Sequence, residues 1–276
     1  DNAFAVAGVD QQVGIVPVKV LNSSNFGTTI ALAEGLLFAK DNADVISMSL
    51  INYPTTSFLI NEALQAARDS GAILIACAGN GGSGNADVSG PGASPLTISV
   101  GATPQPDARA FFSATGSALD LVAPGYLVHT VAYNSSADTN SVFSGCSAAT
   151  PVTAGVATLL LSINPLLTHD QILDILTSTA DDQVGPSWED TPGRDDYMGW
   201  GRLNMYNALL SVSTPVPAVS DAGWVTAVVL SQRKVSCGSM SGGPSSASSS
   251  GRGLPRSGAR SPLKKPYPTP SRCAPR

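Results

Sequence analysis

The chain has 276 residues, enough for one large domain or one domain with an appendage. Hydrophobic residues make up 43% and charged residues only 13%, about half the usual charged share of soluble domains, which excludes a chain that is disordered throughout. The net charge of -5 is unevenly spread: residues 1–212 hold six Lys/Arg against nineteen Asp/Glu, giving -13, while residues 213–276 hold nine against one, giving +8. The acidic body lacks the clustered cations that nucleic-acid phosphates require, and no stretch approaches the ~18 consecutive apolar residues of a membrane span, Trp224 to Leu230 being the best run.

In chain order, Ile15 to Leu21 reads as a short buried strand in spite of Pro17. A helix follows, capped by Thr28 or Thr29, with Leu32, Leu36, Leu37 and Ala39 at near-helical spacing. Val45 to Leu50 is a second strand, Leu59 to Arg68 a second helix closed by Gly71, and Ile73 to Cys77 a third strand. Strand, helix, strand, helix, strand predicts a parallel sheet covered by helices, an α/β fold. Leu96 to Val100 and Leu119 to Ala123 read as further strands. Ala149 to Ile163 is a helix apolar nearly all round, and so buried on most sides. Thr168 and Gln171 form a capping box before another helix, and Leu203 to Leu210 is a last short one. After Val212 the composition turns to Ser, Gly, Pro, Arg and Lys, so residues 213–276 are expected to be a disordered basic tail joined to a 1–212 domain.

Four segments carry chemistry. Val45-Ile46-Ser47-Met48-Ser49-Leu50, Ala76-Cys77-Ala78-Gly79-Asn80, Asp120 to Gly125 with its Val-Ala-Pro-Gly, and Ser144-Gly145-Cys146-Ser147-Ala148-Ala149-Thr150-Pro151 follow one another in that order. Together they resemble the subtilisin-like serine peptidases over roughly residues 7–210. The resemblance implies a mostly parallel sheet with helices on both faces, Ser147 as nucleophile and Asn80 as oxyanion donor. It also implies that Ser49, Leu50 and Gly79 lie along a bound polypeptide. A serine at a helix start suits this role on physical grounds, because oriented N–H groups and the positive dipole end face developing negative charge. Gly79 to Gly84 also satisfies G-x-G-x-x-G, but Gly90, Pro91, Gly92 and Pro95 forbid the helix that a dinucleotide site needs there.

A serine nucleophile needs an imidazole and a carboxylate beside it. Only His129 and His169 are present; His129 follows the Ala-Pro-Gly turn as a surface strand residue, and His169 is explained by capping and solvation beside Thr168. In the resembled family the aspartate and histidine motifs precede the segment like Val6-Ala7-Gly8-Val9. The expectation is therefore an N-terminally truncated serine endopeptidase, inactive alone, with a non-catalytic peptide-binding module as the alternative. Residue 1, an Asp, is read as a processing product or truncation, and Val216 to Asp221 looks like the start of a bacterial sorting tail cut short. Cys146 stands where the family has threonine, Val152 where it often has histidine, and Ile51-Asn52 where it has glycines, which narrows the expected cleft.

Four cysteines permit three complete pairings, and Cys77 and Cys146 are expected as buried thiols. No spacing suggests zinc; structural calcium is open, with no acidic cluster to name as ligands. The chemistry needs no cofactor. The enzyme is expected to be a monomer exported to the medium or cell envelope, acting on polypeptide and neither spanning a membrane nor binding nucleic acid.

Overall fold

The computed structural model describes residues 6–82, 88–131, 140–212 and 226–230. Residues 213–225 and 231–276, most of the tail expected to be disordered, lie outside these residues.

The body is a six-stranded parallel sheet. Its strands are β1 (Gly14–Val18), β2 (Val45–Met48), β3 (Ile73–Cys77), β4 (Ile98–Thr103), β5 (Leu121–Pro124) and β8 (Thr226–Leu230), in the spatial order β1-β8-β2-β3-β4-β5. A separate antiparallel hairpin pairs β6 (Val128–Val131) with β7 (Asn140–Phe143), in the register Val128 to Phe143 and Val131 to Asn140. His129 on β6 is expected as a surface strand residue, whereas β7, its pairing with β6, and β8 are not expected from the sequence.

Alternation along the strands divides the core into two layers. Val45, Ile73, Ile75, Ile98 and Val100 face one side, where they meet α3 (Cys146–Ile163), α4 (His169–Ser178) and α5 (Met205–Val212) through Ala157, Leu160, Ile172 and Ala208. Ile46, Met48, Leu74 and Ala76 face the other side, against α1 (Thr29–Ala39) and α2 (Phe58–Asp69) through Leu32, Leu36, Ile60 and Leu64. Each such fully buried large side chain contributes roughly 1.5–3 kcal/mol.

Local chemistry sets the helix ends. Thr28 caps α1 by accepting from Ala31 N–H, and Ser57 caps α2 by accepting from Ile60 N–H. α2 stops at a Schellman turn: Gly71, at φ +92°, donates to Arg68 O while Ala72 donates to Ala67 O. The Thr168–Gln171 capping box opens α4. α3 begins three residues earlier than its apolar run, at Cys146, and no side chain of its own N-cap, Gly145, caps it. Among the described residues α3 is also the one helix long and apolar enough to cross a bilayer, and most of it is buried inside the protein.

Candidate active site

β2 and β3 end side by side, and their carboxyl ends lead straight into the site. Ser49 and Leu50 follow β2, Asn80 follows β3, and α3 starts between them with Ser147 in its first turn. Ser49, Leu50, Asn80 and Ser147 line one cavity of about 460 Å³, together with Leu21, Gly27, Ile51, Asn52 and Tyr53. A larger cavity of about 600 Å³ lies beside Thr103, His129, Asp181 and Arg202. It holds none of the expected site residues, so chemistry rather than size locates the site.

The start of α3 is built by tertiary contacts. Gly145 sits at φ +142°, a conformation that L side chains avoid, and its N–H donates to Gly125 O at 2.8 Å. Gly125, at the end of the Val-Ala-Pro-Gly run, has no room for a side chain: a Cβ would lie 2.6 Å from Ala102 Cβ and 2.9 Å from Gly145 O. Cys146 N–H donates to Asn80 Oδ1 at 2.9 Å, so the cap that α3 lacks locally comes from the end of β3.

That bond fixes the Asn80 amide. An N–H can only donate to the oxygen, so among the described residues the Asn80 NH2 end is left without an acceptor, and the exposed residue holds it at the cavity. Ser147 N–H has no acceptor in the helix or elsewhere among the described residues. Two unspent donors, Asn80 Nδ2 and Ser147 N, thus flank the partly exposed Ser147 hydroxyl at a positive helix end.

Pro151 explains Ser49. Four residues after Ser147 a helix would normally return an N–H to the Ser147 carbonyl, and proline has none. Ser49 Oγ donates to that carbonyl instead, at 2.9 Å. Its hydroxyl is therefore engaged with the helix that carries Ser147. Leu50 borders the cavity with its side chain packed into the core, only 2% exposed. Gly79 is not among the cavity residues; at φ +139° its N–H lies 3.3 Å from Cys146 Sγ, and it supports the loop beneath Asn80.

Asn52, in the segment where glycines were expected, takes the left-handed conformation at φ +65°, which asparagine tolerates best of the non-glycine residues. Ile51 and Asn52 both line the cavity wall.

The expectation of buried thiols is corrected. Cys77 and Cys146 are both fully buried, but they form a disulfide with a Cα–Cα distance of 5.1 Å that ties the end of β3 to the start of α3. A separation of 69 residues gives no sign of that proximity in the sequence. Cys237, Cys273 and residues 83–87 of the glycine-rich loop lie outside the described residues.

Neither histidine lines this cavity. His129 is exposed on β6 beside the other cavity. His169 is not solvated as expected but 5% exposed, its Nε2 3.3 Å from Leu74 O and its Nδ1 3.7 Å from Asp170 Oδ1, too far for a hydrogen bond. Burial, and next the charge of Arg68, lower its pKa to about 4, so it is neutral near pH 7. The contact of Ser147 Oγ is Cys77 Sγ at 4.0 Å, and a disulfide sulfur cannot take its proton. Among the described residues no three His, Cys, Asp or Glu side chains cluster as a metal site, so no residue is assigned to calcium.

Comparison with known proteins bears on the family and the fold. The profile of the Subtilase family, peptidase S8, matches residues 1–201. Subtilisin DY of Bacillus licheniformis is 37% identical over 208 residues, covering 74% of this chain and 71% of that protein. Subtilisin E of Bacillus subtilis (strain 168) is 39% identical over 211 residues, covering 75% of this chain but only 52% of that protein, so the chain spans about half of its length. Among solved structures, a protease from Pseudoalteromonas arctica has a TM-score of 0.66 at 29% identity, covering 77% of this chain and 67% of that one. Sphericase has a TM-score of 0.60 at 27% identity, covering 67% and 66%. By sequence, by fold and by the serine at the head of its core helix, the chain belongs to the subtilase family of serine peptidases.

Proposed function

We propose that this site performs acyl transfer on peptide bonds. Given a general base that takes its proton and passes it to the departing amine, Ser147 Oγ attacks the carbonyl carbon of an extended polypeptide running beside Ser49-Leu50, and the C–N bond breaks to leave an acyl ester. The oxygen that becomes negative is held by Asn80 Nδ2 and Ser147 N–H. The observation that carries this reading is the Cys146 N–H to Asn80 Oδ1 bond, which turns the Asn80 amide donor end free beside a helix-start serine. Ile51 and Asn52 narrow the cleft and restrict bulky side chains there.

We further infer that residues 1–276 alone do not turn substrate over, because among the described residues the serine proton has no acceptor in reach. The positions of His129 and His169, both away from the cavity, support this. Purified chain is assayed on a protease substrate library against a Ser147→Ala control, with fluorophosphonate labelling of both. Equal background in the two proteins and no label are expected. Turnover or stoichiometric labelling that depends on Ser147 would place a proton acceptor on this chain and overturn the inference.

The same observation favours a second reading, a cleft that binds peptide without cleaving it. Calorimetric titration with peptide substrates separates the two: saturable binding weakened by Asn80→Ala supports a binding module, and no binding removes it.

The acyl-transfer chemistry requires no cofactor, and the chain works as a monomer outside the cytoplasm or at the cell envelope, with no nucleic-acid partner. A disulfide at the site supports an oxidising compartment. Light scattering at the mass of one chain, 28.0 kDa, and recovery of the oxidised protein from the culture medium test these points.

A further inference from the structure

The turn from Cys77 to Asn80 meets the head of α3 at three points, and all three end on one residue. Cys77, the last residue of β3, is bonded to Cys146 through the disulfide. Gly79 N–H donates to Cys146 Sγ at 3.3 Å, and Cys146 N–H donates to Asn80 Oδ1 at 2.9 Å. Cys146 is the first residue of α3 and immediately precedes Ser147. The two unspent donors, Asn80 Nδ2 and Ser147 N, therefore lie three residues and one residue from the two ends of a single covalent bridge. We propose that Cys77 and Cys146 are a positioning pair, whose disulfide sets the spacing of the Asn80 and Ser147 donors and so fits the cleft to an anionic oxygen over a neutral one. The inference rests on the proposed oxyanion role of those two donors and adds the pair that holds them in place.

Donors stabilise a developing charge when they are held to within about 0.5 Å of their working positions before the ligand arrives. Neither donor here is held by its own element. Asn80 follows β3 on a turn whose Gly79 takes φ +139°, and Ser147 stands in the first turn of a helix that has no side-chain cap from Gly145. Separate hydrogen bonds from Gly145 N–H to Gly125 O, from Cys146 N–H to Asn80 Oδ1 and from Ser49 Oγ to Ser147 O fasten the helix head. Each can break and re-form by itself, whereas the bridge fixes a Cα–Cα distance, 5.1 Å, between the two donor segments.

Burial makes that restraint effective. Cys77, Ala78 and Cys146 are wholly buried, and a Cβ on Gly79 would lie 3.0 Å from Ala114 Cβ. Two thiols need more room than two bonded sulfurs, and a close-packed surround passes the displacement on to the turn or to the helix head. Cys77 Sγ also lies 4.0 Å from Ser147 Oγ, so a shift of that sulfur is felt at the hydroxyl. Cys146 stands where the family usually has threonine, so the bridge is no part of the family's serine motif.

The test compares two forms of one peptide on the 15N-labelled full chain. Acetyl-tetraalanine, whose small side chains suit a cleft lined by Ile51 and Asn52, is titrated as the free acid and as the C-terminal amide, with the Ser147 N–H and Asn80 Nδ2 resonances as reporters. The acid brings an anionic oxygen to the two donors and the amide brings a neutral one. The acid should bind about tenfold tighter or more, and Asn80→Ala should abolish that preference. Cys77→Ala removes the cross-link but keeps Cys146 Sγ and both hydrogen bonds between Cys146 and the turn. It should cut the preference to about threefold or less, as a displaced donor loses its directional bond to the charge. A preference kept above that level, whether the two affinities stay or fall together, makes the bridge merely structural and overturns the proposal. Leu176→Ala, a core truncation on α4, is the control for lost stability and should leave the preference intact; its loss there too overturns the proposal.

If circular dichroism shows that Cys77→Ala is unfolded, the full chain treated with dithiothreitol decides. The dithiol opens the bridge to two cysteine thiols and closes to its own cyclic disulfide. The preference should fall on reduction and return on reoxidation, and an unchanged preference in the reduced chain overturns the proposal. A native chain that binds neither peptide or both alike, or a preference that survives Asn80→Ala, overturns the oxyanion reading and this inference with it. A preference that depends on Asn80 but survives loss of the bridge overturns this inference alone.

Discussion

Ser49 and Pro151 form a pair whose coupling can be measured. Pro151 withholds the N–H that would close the helical bond to the Ser147 carbonyl, and Ser49 Oγ replaces it from the end of β2 at 2.9 Å. Ser49→Ala leaves that part-buried carbonyl without its donor. The loss should be about 1–3 kcal/mol, the cost of an unsatisfied polar group. With a denaturant slope of about 3 kcal/mol/M, a 2 kcal/mol loss moves the urea midpoint down by roughly 0.7 M. In a Pro151→Ala background, residue 151 regains an N–H four positions after Ser147, and the helix can close its own bond. Ser49→Ala should then cost no more than about 0.5 kcal/mol, giving a coupling of at least ~0.5 kcal/mol across the cycle, and about 1.5 kcal/mol for a 2 kcal/mol loss. Equilibrium unfolding of the four proteins, followed by circular dichroism, measures it. Costs for Ser49→Ala that are equal in both backgrounds would refute the argument, because they would mean that the serine acts on something other than the carbonyl freed by proline.

The Cys77–Cys146 bridge closes a loop of about 70 residues, for which chain entropy alone predicts about 4 kcal/mol; unfolding with and without reductant should show a loss of 2–5 kcal/mol, and an unchanged midpoint would contradict the cross-link. His169 has a folded pKa of about 4 against an ordinary 6.5, so the unfolded chain binds the extra proton first. Its contribution is present above pH 6.5 and is lost as pH falls towards 4, by roughly 3 kcal/mol in all. A His169→Gln variant should flatten the stability profile over that window, and an unchanged slope there would assign the effect elsewhere. Gly125→Ala should cost several kcal/mol and perturb the head of α3, since its Cβ would meet Ala102 Cβ and Gly145 O, with loss of protection at the Gly145 and Cys146 amides as the readout.

Much of the fold was legible because its signals are local. The helical spacing of Ile60, Ala63, Leu64 and Ala67 and the glycine that ends α2 predict that helix to within a residue or two, and the capping box predicts the start of α4. Buried strands such as Ile73–Cys77 are legible as short apolar runs bounded by turns. Ser147 and Asn80 were legible as members of ordered motifs, and the structure brings them to one cavity.

Partnership at a distance was not legible. That Asn80 caps α3, that Ser49 serves the carbonyl freed by Pro151, and that Cys77 reaches Cys146 all join residues 66 to 98 positions apart with no local mark. His169 read as a solvated cap residue, because nothing in its neighbours announces the Leu74 carbonyl and the sheet above it. Thr226–Leu230 read as part of a disordered tail, because a five-residue apolar run becomes a strand only where two other strands hold a place open for it. Periodicities, caps and the order of the motifs are interactions within a few residues, and the amino-acid order is enough to specify them. Which donors stay free at Ser147, and what fills the gap between β1 and β2, depend on which distant groups already have partners, and only the folded chain settles that.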